Sequence, residues 1–312
     1  METKSKFEKK NIFTSEFQKI DINNVINEIN QNGYFAIENA LTNEALIKIE
    51  KESTETKLNI NQNNVTGVYK ERQYFFTNLL AVSKSFYDLV TSRFVLDTCE
   101  KFMGDSFRLT ALRYYETYGK YHMHWHTDNK TDKVFINDPG LIFICYISDV
   151  MDGQFQYIKG SHLWSDKKKF NDYTDDFINK NYNKEIKNFK FSKGTIIIYN
   201  TRGIHRAKPV FKNNFIRKSI FFQIENTPDS EPIILNTKFI NETNSKISML
   251  LGFGKPSNYT VFPKTSLNTL PFNKSLFLRF LIYIPYRFSR NLFNYLPNFM
   301  KKKLKNLMKK GK

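Results

Sequence analysis

The sequence predicts a mainly β protein: an antiparallel sandwich, closed or nearly closed, braced by helices and followed by a basic, helical C-terminal tail. Three observations carry this expectation. Helical periodicity is concentrated before Gly104, short apolar strands crowd the stretch after Phe107, and no acidic residue follows Glu242.

Taken in order, residues 1–15 are charged, show no period and are expected to be loose. Ile20–Asn30 places Ile22, Val25, Ile26 and Ile29 on one helical face, and Gly33 supplies the left-handed stop. Tyr34–Ile37 is a short strand. Thr42 can cap the next helix, with Glu44 in its first turn and Leu46, Ile47 and Ile49 as its apolar positions. Residues 84–103 form one helical stretch through Phe86, Leu89, Val90, Phe94 and Val95, ended by Gly104. Strands follow at Phe107–Tyr115, around Trp125–Asp128, at Leu141–Ile147 and Phe155–Ile158, then at Gly194–Tyr199 and Phe215–Ile224. Leu141–Ile147 is almost continuously apolar, as in a strand buried on both faces. Asp138-Pro139-Gly140 and Gly160-Ser161-His162 are turns, and the polar Lys167–Lys184 is an inserted, lid-like loop region. These elements give a loose N-terminus (1–15), a central domain (16–245) and a basic aromatic C-terminal extension (246–312).

Composition narrows the classes. A chain of 312 residues can build one substantial core. Cys99 and Cys145 are too few for a disulfide framework or a paired-cysteine metal site, and both are expected in largely apolar surroundings, as reduced packing residues. The N-terminus has no apolar segment of the secretory kind, which points to a cytoplasmic protein. The net charge of +18 is uneven: fourteen Lys and Arg follow Glu242, leaving 18 − 14 = +4 for residues 1–242. The high isoelectric point is therefore a property of the tail, and nucleic-acid binding by the main domain is not expected.

The chemistry-bearing residues lie in the strand region. His126 and Asp128 are two apart, so an extended backbone turns both side chains to one face. A second imidazole from His205 would complete two histidines and one carboxylate around a metal, the facial triad of the non-haem Fe(II) oxygenases, which leaves coordination positions open. Alone, so short a pattern matches by chance. It gains weight because His205 follows a Gly-Thr-apolar strand and precedes an Arg-x-Ser strand. His122 and His124 share the face of His126 and are alternative ligands, and His124 can instead line a pocket rim. Arg217 and Ser219 face one way on the last strand, and a guanidinium fork plus a hydroxyl can hold a carboxylate. The competing reading is a surface arginine on an edge strand.

Together these pieces resemble the phytanoyl-CoA dioxygenase family of Fe(II)/2-oxoglutarate oxygenases. The resemblance rests on Gly33–Ile37, Trp125-His126-Thr127-Asp128, Ile147–Val150 with Asp152–Phe155, Gly160-Ser161-His162, Gly194-Thr195, His205-Arg206 and Arg217-Lys218-Ser219, in that order over residues 20–225. It implies a double-stranded β-helix, or jelly roll, with helices on one sheet. It implies iron ligation by His126, Asp128 and His205, and a clamp for the distal carboxylate of 2-oxoglutarate from Arg217 and Ser219. Tyr115 is a pocket candidate, and His162 belongs to a structural turn. Two departures stand out: Lys159 occupies a place where the family often has proline, and the interval from His205 to Arg217 is a residue longer than usual. A one-residue slip would turn Arg217 out of the pocket, although an extra loop residue within 211–214 can absorb it. Arg206 is the fallback if that strand is misplaced.

The implied reaction consumes 2-oxoglutarate and O2, releases succinate and CO2, and hydroxylates a C–H bond, with ascorbate as an optional reductant. Related halogenases lack the carboxylate ligand, so Asp128 favours hydroxylation. The substrate class is a small molecule or a lipid- or carrier-linked metabolite. The segments Asn61–Arg72 and Asn129–Asn137, with Lys130 and Lys133, are expected near its entrance. The tail is too short and too charged in its apolar pieces to span a bilayer, but suits an anionic membrane surface, which would make the protein peripheral. The tail can equally pack on the core with its basic end solvated. Two other functions compete: a non-catalytic jelly-roll binding module at a membrane, and a metal-dependent cupin-type enzyme without 2-oxoglutarate, in which Arg217 and Ser219 would have no task.

Overall fold

The computed structural model describes residues 12–58, 67–70, 73–76, 78–104, 106–118, 123–128, 140–165, 173–212, 214–226, 233–240 and 244–253, with a few positions beyond. Outside them lie most of the N-terminal 1–15 segment, His122, the 129–137 segment with Lys130 and Lys133, and nearly all of the tail from residue 254. The chain divides into two compact units, Met1–Ser257 and Asn258–Lys312.

Helices are α1 (Ile22–Asn32), α2 (Asn43–Leu58), α3 (Lys84–Val90), α4 (Arg93–Met103), α5 (Asp175–Tyr182) and α6 (Ser245–Leu251). Strands are β1 (Tyr34–Ile37), β2 (Gly67–Lys70), β3 (Gln73–Phe76), β4 (Arg108–Thr117), β5 (Gly140–Tyr146), β6 (Phe155–Ile158), β7 (Ile186–Phe189), β8 (Ile196–Asn200), β9 (His205–Ala207) and β10 (Arg217–Glu225). They form a seven-stranded sheet ordered β1-β8-β5-β10-β4-β3-β2 and a three-stranded sheet ordered β7-β6-β9. Every named pair is antiparallel. The protein is thus mainly β with flanking helices, as the sequence predicts.

Two apolar layers cover the faces of the large sheet. On one face of the large sheet, Phe143, Ile198, Ile220, Phe222 and Ile224 join Val25 and Ile29 of α1, Phe86 and Leu89 of α3, and Val95 and Cys99 of α4. On the other face, Ile142, Ile144, Tyr146, Ile197 and Tyr199 meet Phe155, Tyr157 and Phe189 of the small sheet. Strand β5 supplies both layers and is buried along its whole length, which is why its sequence is a continuous apolar run. Both cysteines are free and buried.

The local chemistry follows the sequence. Asp21 caps α1 through Asn23, and Gly33 ends it at φ 89°. A side chain at Gly33 would also strike the Tyr157 hydroxyl at 2.4 Å, and one at Gly203 would meet it at 1.7 Å. Two glycines therefore make room for one buried tyrosine, which ties α1 to the loop before β9. The Thr42 hydroxyl accepts from the Ala45 amide, starting α2 as expected.

Several expectations need correction. Ile47 is 68% exposed, so α2 is buried through Ala45, Leu46 and Ile49 instead. The single helix expected over 84–103 is two, because the chain turns at Thr91-Ser92 and Ser92 takes an extended backbone. The region 167–184 was expected to be loop, yet it contains α5, capped by the Thr174 side chain, with Ile178 buried beneath it. Polar residues on its outer face hid the helix. Within Asn61–Arg72, residues 67–70 are β2 of a hairpin with β3, and the rest lies outside the described residues. The boundary expected after residue 245 falls inside α6: Ile247, Leu250 and Leu251 pack in the main core, and Lys246 pairs with Asp97 and Glu100 of α4. The first compact unit accordingly continues to Ser257.

Candidate metal centre

The site is built by backbone pairing. The amide of His126 donates to the carbonyl of His205 at 3.0 Å, and that of His205 donates back to His126 at 2.9 Å. The two histidines are therefore direct cross-strand partners, and their rings lie 4.4 Å apart between centroids. The strand expected at Trp125–Asp128 is reduced to these bridges, with Trp125 paired on its other side to Tyr173. The alternation still works: Asp128 falls on the same side as His126, its amide held by the carbonyl of Thr201 at 3.2 Å.

The ligand atoms of His126, Asp128 and His205 all lie within 4.8 Å of one another. Asp128 Oδ2 is 3.1 Å from His205 Nε2, and Asp128 Oδ1 is 4.0 Å from His126 Nε2. His126 Nδ1 lies 2.7 Å from the carbonyl of His124, and His205 Nδ1 lies 3.0 Å from that of Gly203. A carbonyl can only accept, so both Nδ1 atoms carry the proton and donate. The Nε2 atoms are then the ones turned toward the carboxylate. Two imidazole nitrogens and a carboxylate converging this closely form a donor set that suits a divalent metal.

Electrostatics agrees. Burial, reinforced by the adjacent His205, pushes the His126 pKa down to about 4, so this imidazole is neutral at pH 7. Burial works to raise Asp128, but attraction and hydrogen bonding from His205, then His126 and Tyr199, win and leave it below its ordinary value. The site therefore holds an ionised carboxylate and, at His126, a neutral imidazole where a cation would sit.

Tyr199 is a contributor that sequence reasoning missed. Its hydroxyl lies 3.4 Å from Asp128 Oδ2 and 3.3 Å from His205 Nε2. Burial, then the Asp128 charge, hold its pKa well above the usual 10, so it remains a donor. The β8 alternation that turns Ile197 inward turns Tyr199 inward too, and that signal was present in the sequence.

Arg217 and Ser219 lie on the face of β10 turned toward the small sheet, with Phe221 beside them in the inter-sheet layer. Ile220, Phe222 and Ile224 point to the helices. No register slip has turned the arginine away. Its Nη1 donates to the carbonyl of Gly153, and its Nη2 donates to Thr117 Oγ1 at 3.3 Å. Ser219 stands opposite Tyr115 on β4 and Tyr146 on β5, so Tyr115 shares this face. The Tyr115 hydroxyl accepts from Arg113 at 3.0 Å. Tyr146 is pushed up to about 12 by burial, with the Arg217 charge acting against the rise.

Other candidates fall elsewhere. The exposed side chain of His124 is not in the ligand cluster, though its carbonyl orients His126. His162 is buried and bonds the carbonyl of Asn30 through Nε2 at 2.9 Å, a structural tie to α1. Arg206 points to the opposite face, toward Asp175, Gln156 and Trp125, so it offers no substitute for Arg217.

The family model for phytanoyl-CoA dioxygenase (PhyH) matches residues 29–219, which include every ligand candidate, Arg217 and Ser219. No curated protein sequence matches the chain. Among solved structures, HygX from Streptomyces hygroscopicus with nickel and 2-oxoglutarate bound aligns with a TM-score of 0.53 at 15% identity, over 67% of this chain and 88% of that one. The non-heme alpha ketoglutarate dependent carbocyclase SnoK from nogalamycin biosynthesis gives 0.53 at 14%, over 67% and 85%. The epimerase SnoN, in complex with Fe3+, alpha ketoglutarate and nogalamycin RO, gives 0.52 at 14%, over 71% and 90%. At such identities the likeness is one of fold.

Proposed function

The chain belongs to the phytanoyl-CoA dioxygenase family, and on that premise we propose that it is an Fe(II)- and 2-oxoglutarate-dependent oxygenase on a double-stranded β-helix. The finer proposal is hydroxylation of a C–H bond in a small-molecule or lipid- or carrier-linked metabolite. The observation that carries it is the His126, Asp128 and His205 cluster, with both Nε2 atoms turned to the carboxylate.

When bound, iron and 2-oxoglutarate together supply the oxidising chemistry, using O2 and releasing succinate and CO2. The chain's residues do the rest. His126, Asp128 and His205 would hold the metal on one side and leave the other side for the co-substrate. Arg217 would bind the distal carboxylate of 2-oxoglutarate as a fork, with the Ser219 hydroxyl as a further donor and Tyr115 beside them. The layer of Phe155, Tyr157 and Tyr199 around His205 keeps bulk water from the site. SnoK is a carbocyclase and SnoN an epimerase, so one fold hosts several outcomes, and Asp128 as a third ligand argues against halogenation rather than between these and hydroxylation.

The test is succinate formation from 2-oxoglutarate with Fe(II) and O2, beside an anaerobic titration followed by the metal-to-ligand charge-transfer band. Wild type should show the band and turnover, and Asp128→Ala should bind metal at least ~100-fold more weakly. A wild-type protein that binds neither Fe(II) nor 2-oxoglutarate would leave the non-catalytic binding module standing. With substrate candidates, gain of one oxygen atom separates hydroxylation from epimerisation or ring closure.

For the C-terminal extension we propose contact with an anionic membrane surface. Support comes from sequence alone: twelve cations and no acidic residue after Ser257, interleaved with Leu, Phe, Ile and Tyr. Among the described residues no helix is long and apolar enough to cross a membrane. Cosedimentation with phosphatidylserine vesicles, but not phosphatidylcholine vesicles, should be lost when residues 301–312 are removed.

A further inference from the structure

The residues next to the two candidate histidines meet on the far side of the small sheet. His126 pairs with His205 across antiparallel strands, so Trp125 and Arg206 are themselves neighbours, on the opposite face. The Arg206 guanidinium stacks over the Trp125 ring at 4.3 Å. One carboxylate joins them: Asp175 accepts from Trp125 Nε1 at 3.0 Å and from Arg206 Nη1 through the same oxygen. Arg206 Nε donates to Gln156 Oε1 at 2.7 Å, and Gln156 in turn donates to Asn188 at 2.6 Å. Trp125, Gln156 and Arg206 are all buried.

Asp175 is the first residue of α5, the helix carried by the inserted 167–184 region. Two residues before it, Tyr173 bridges Trp125 from the side away from β9. The insertion therefore extends the small sheet past the metal motif and then returns a carboxylate behind it. A planar guanidinium stacked on an indole, with its Nε on an amide oxygen and its Nη1 on a carboxylate, is held in one orientation. That arrangement fixes Trp125 against Arg206, and each is a single peptide unit from a histidine.

We propose that Asp175, acting through Trp125 and Arg206, is a positioning residue that sets the spacing and tilt of His126 and His205 and so tunes the affinity of the metal centre. This rests on the metal-binding reading given above. The role differs from mere docking of α5, which Ile178 performs in the apolar layer beneath the helix with Trp125, Ile158, Tyr173 and Ile204.

The experiment uses the full chain and Co(II), whose visible absorption reports both affinity and coordination geometry without turnover. Asp175→Ala should raise the Co(II) Kd by ~10–100-fold, as loss of groups that orient metal ligands does, and should change the band shape at saturation. Asp175→Asn keeps an acceptor for Trp125 Nε1 and should fall between Asp175→Ala and wild type. Ile178→Val, in the same helix, should lower Tm and leave Kd and band shape unchanged. The proposal is overturned if Asp175→Ala binds Co(II) as wild type does, or if Ile178→Val weakens binding as much at an equal loss of Tm. Wild type that binds no Co(II) would remove the metal centre itself, a result distinct from either of these.

Discussion

The two faces of the seven-stranded sheet face different demands, and β10 shows both. Toward the helices it presents Ile220, Phe222 and Ile224, all within the largest apolar cluster. Toward the small sheet it presents Arg217, Ser219 and Phe221, beside Tyr115, Tyr146 and the layer that reaches Tyr199. Apart from Lys218, which pairs with Glu50 of α2, the first face is apolar. The second mixes aromatic carbon with hydroxyls, a guanidinium and imidazoles, each needing a partner when buried. Period-two alternation lets one strand serve both faces, so stability and chemistry should be separable by substitutions one residue apart.

The largest expected effect lies on the helix side. Phe222 is 1% exposed and stacks on Phe143 with ring centroids 4.7 Å apart. Phe222→Ala should cost about 3–5 kcal/mol of stability, measured by urea unfolding. Metal affinity of the folded fraction should stay at the wild-type value. If the affinity falls in step with stability, the two faces are not independent.

The site face should reveal itself through pH. His126 titrates near 4 in the folded chain, below its ordinary 6.5, because it is buried beside His205. As pH falls, the unfolded chain therefore takes up this proton first. The contribution is fully present above pH ~6.5 and is lost between about 6.5 and 4, worth up to ~3 kcal/mol. Metal-free protein should show this acid limb, and His126→Gln should flatten it. Asp128, whose pKa is lowered, adds a further loss at still lower pH. Phe222→Ala should displace the whole stability profile without changing that limb.

A smaller effect tests the anion side. Arg217→Lys keeps the charge but loses the fork, so the Kd for 2-oxoglutarate should rise ~10–100-fold. Equilibrium titration under anaerobic conditions measures it. Unchanged affinity would mean that Arg217 serves Gly153 and Thr117 alone.

Much of this division was legible beforehand. The order of helices and strands, the buried β5 and the shared faces of His126 with Asp128 and of Arg217 with Ser219 follow from local periodicity, whereas joining His205 and Arg217 to the metal motif rested on their context and the family resemblance. What escaped notice depends on partners far apart in sequence. Asp175 is one acidic residue in a charged run until Trp125 and Arg206 are brought to it. Helix α5 covers its apolar side with Ile178, and its other positions read as loop. The break at Thr91-Ser92 interrupts no apolar period, so nothing local separates α3 from α4. Ile47 shows the converse error: an apolar residue beside two buried ones was counted with them, although its helical angle carries it outward.

The smallest expected effect is the sharpest test of the site face, because it removes a single oxygen atom. Tyr199 is as buried as any core aromatic, yet its hydroxyl reaches both Asp128 Oδ2 and His205 Nε2. It has one proton to give. With a metal on His205 Nε2, only the carboxylate can accept it, and this would fix which Asp128 oxygen is left for the metal. Tyr199→Phe should therefore raise the Co(II) Kd by a few-fold to about tenfold, the ~0.5–1.5 kcal/mol of one hydrogen bond. Tyr157→Phe is the matched control. Its hydroxyl approaches the carbonyl of Asn200 at 3.4 Å and no ligand atom, so it should shift Tm and leave Kd alone. If both variants change Kd alike, the aromatic layer acts on the metal through packing as a whole. If only Tyr199→Phe does, the site face is controlled by individual hydrogen bonds, a sensitivity that the apolar face lacks.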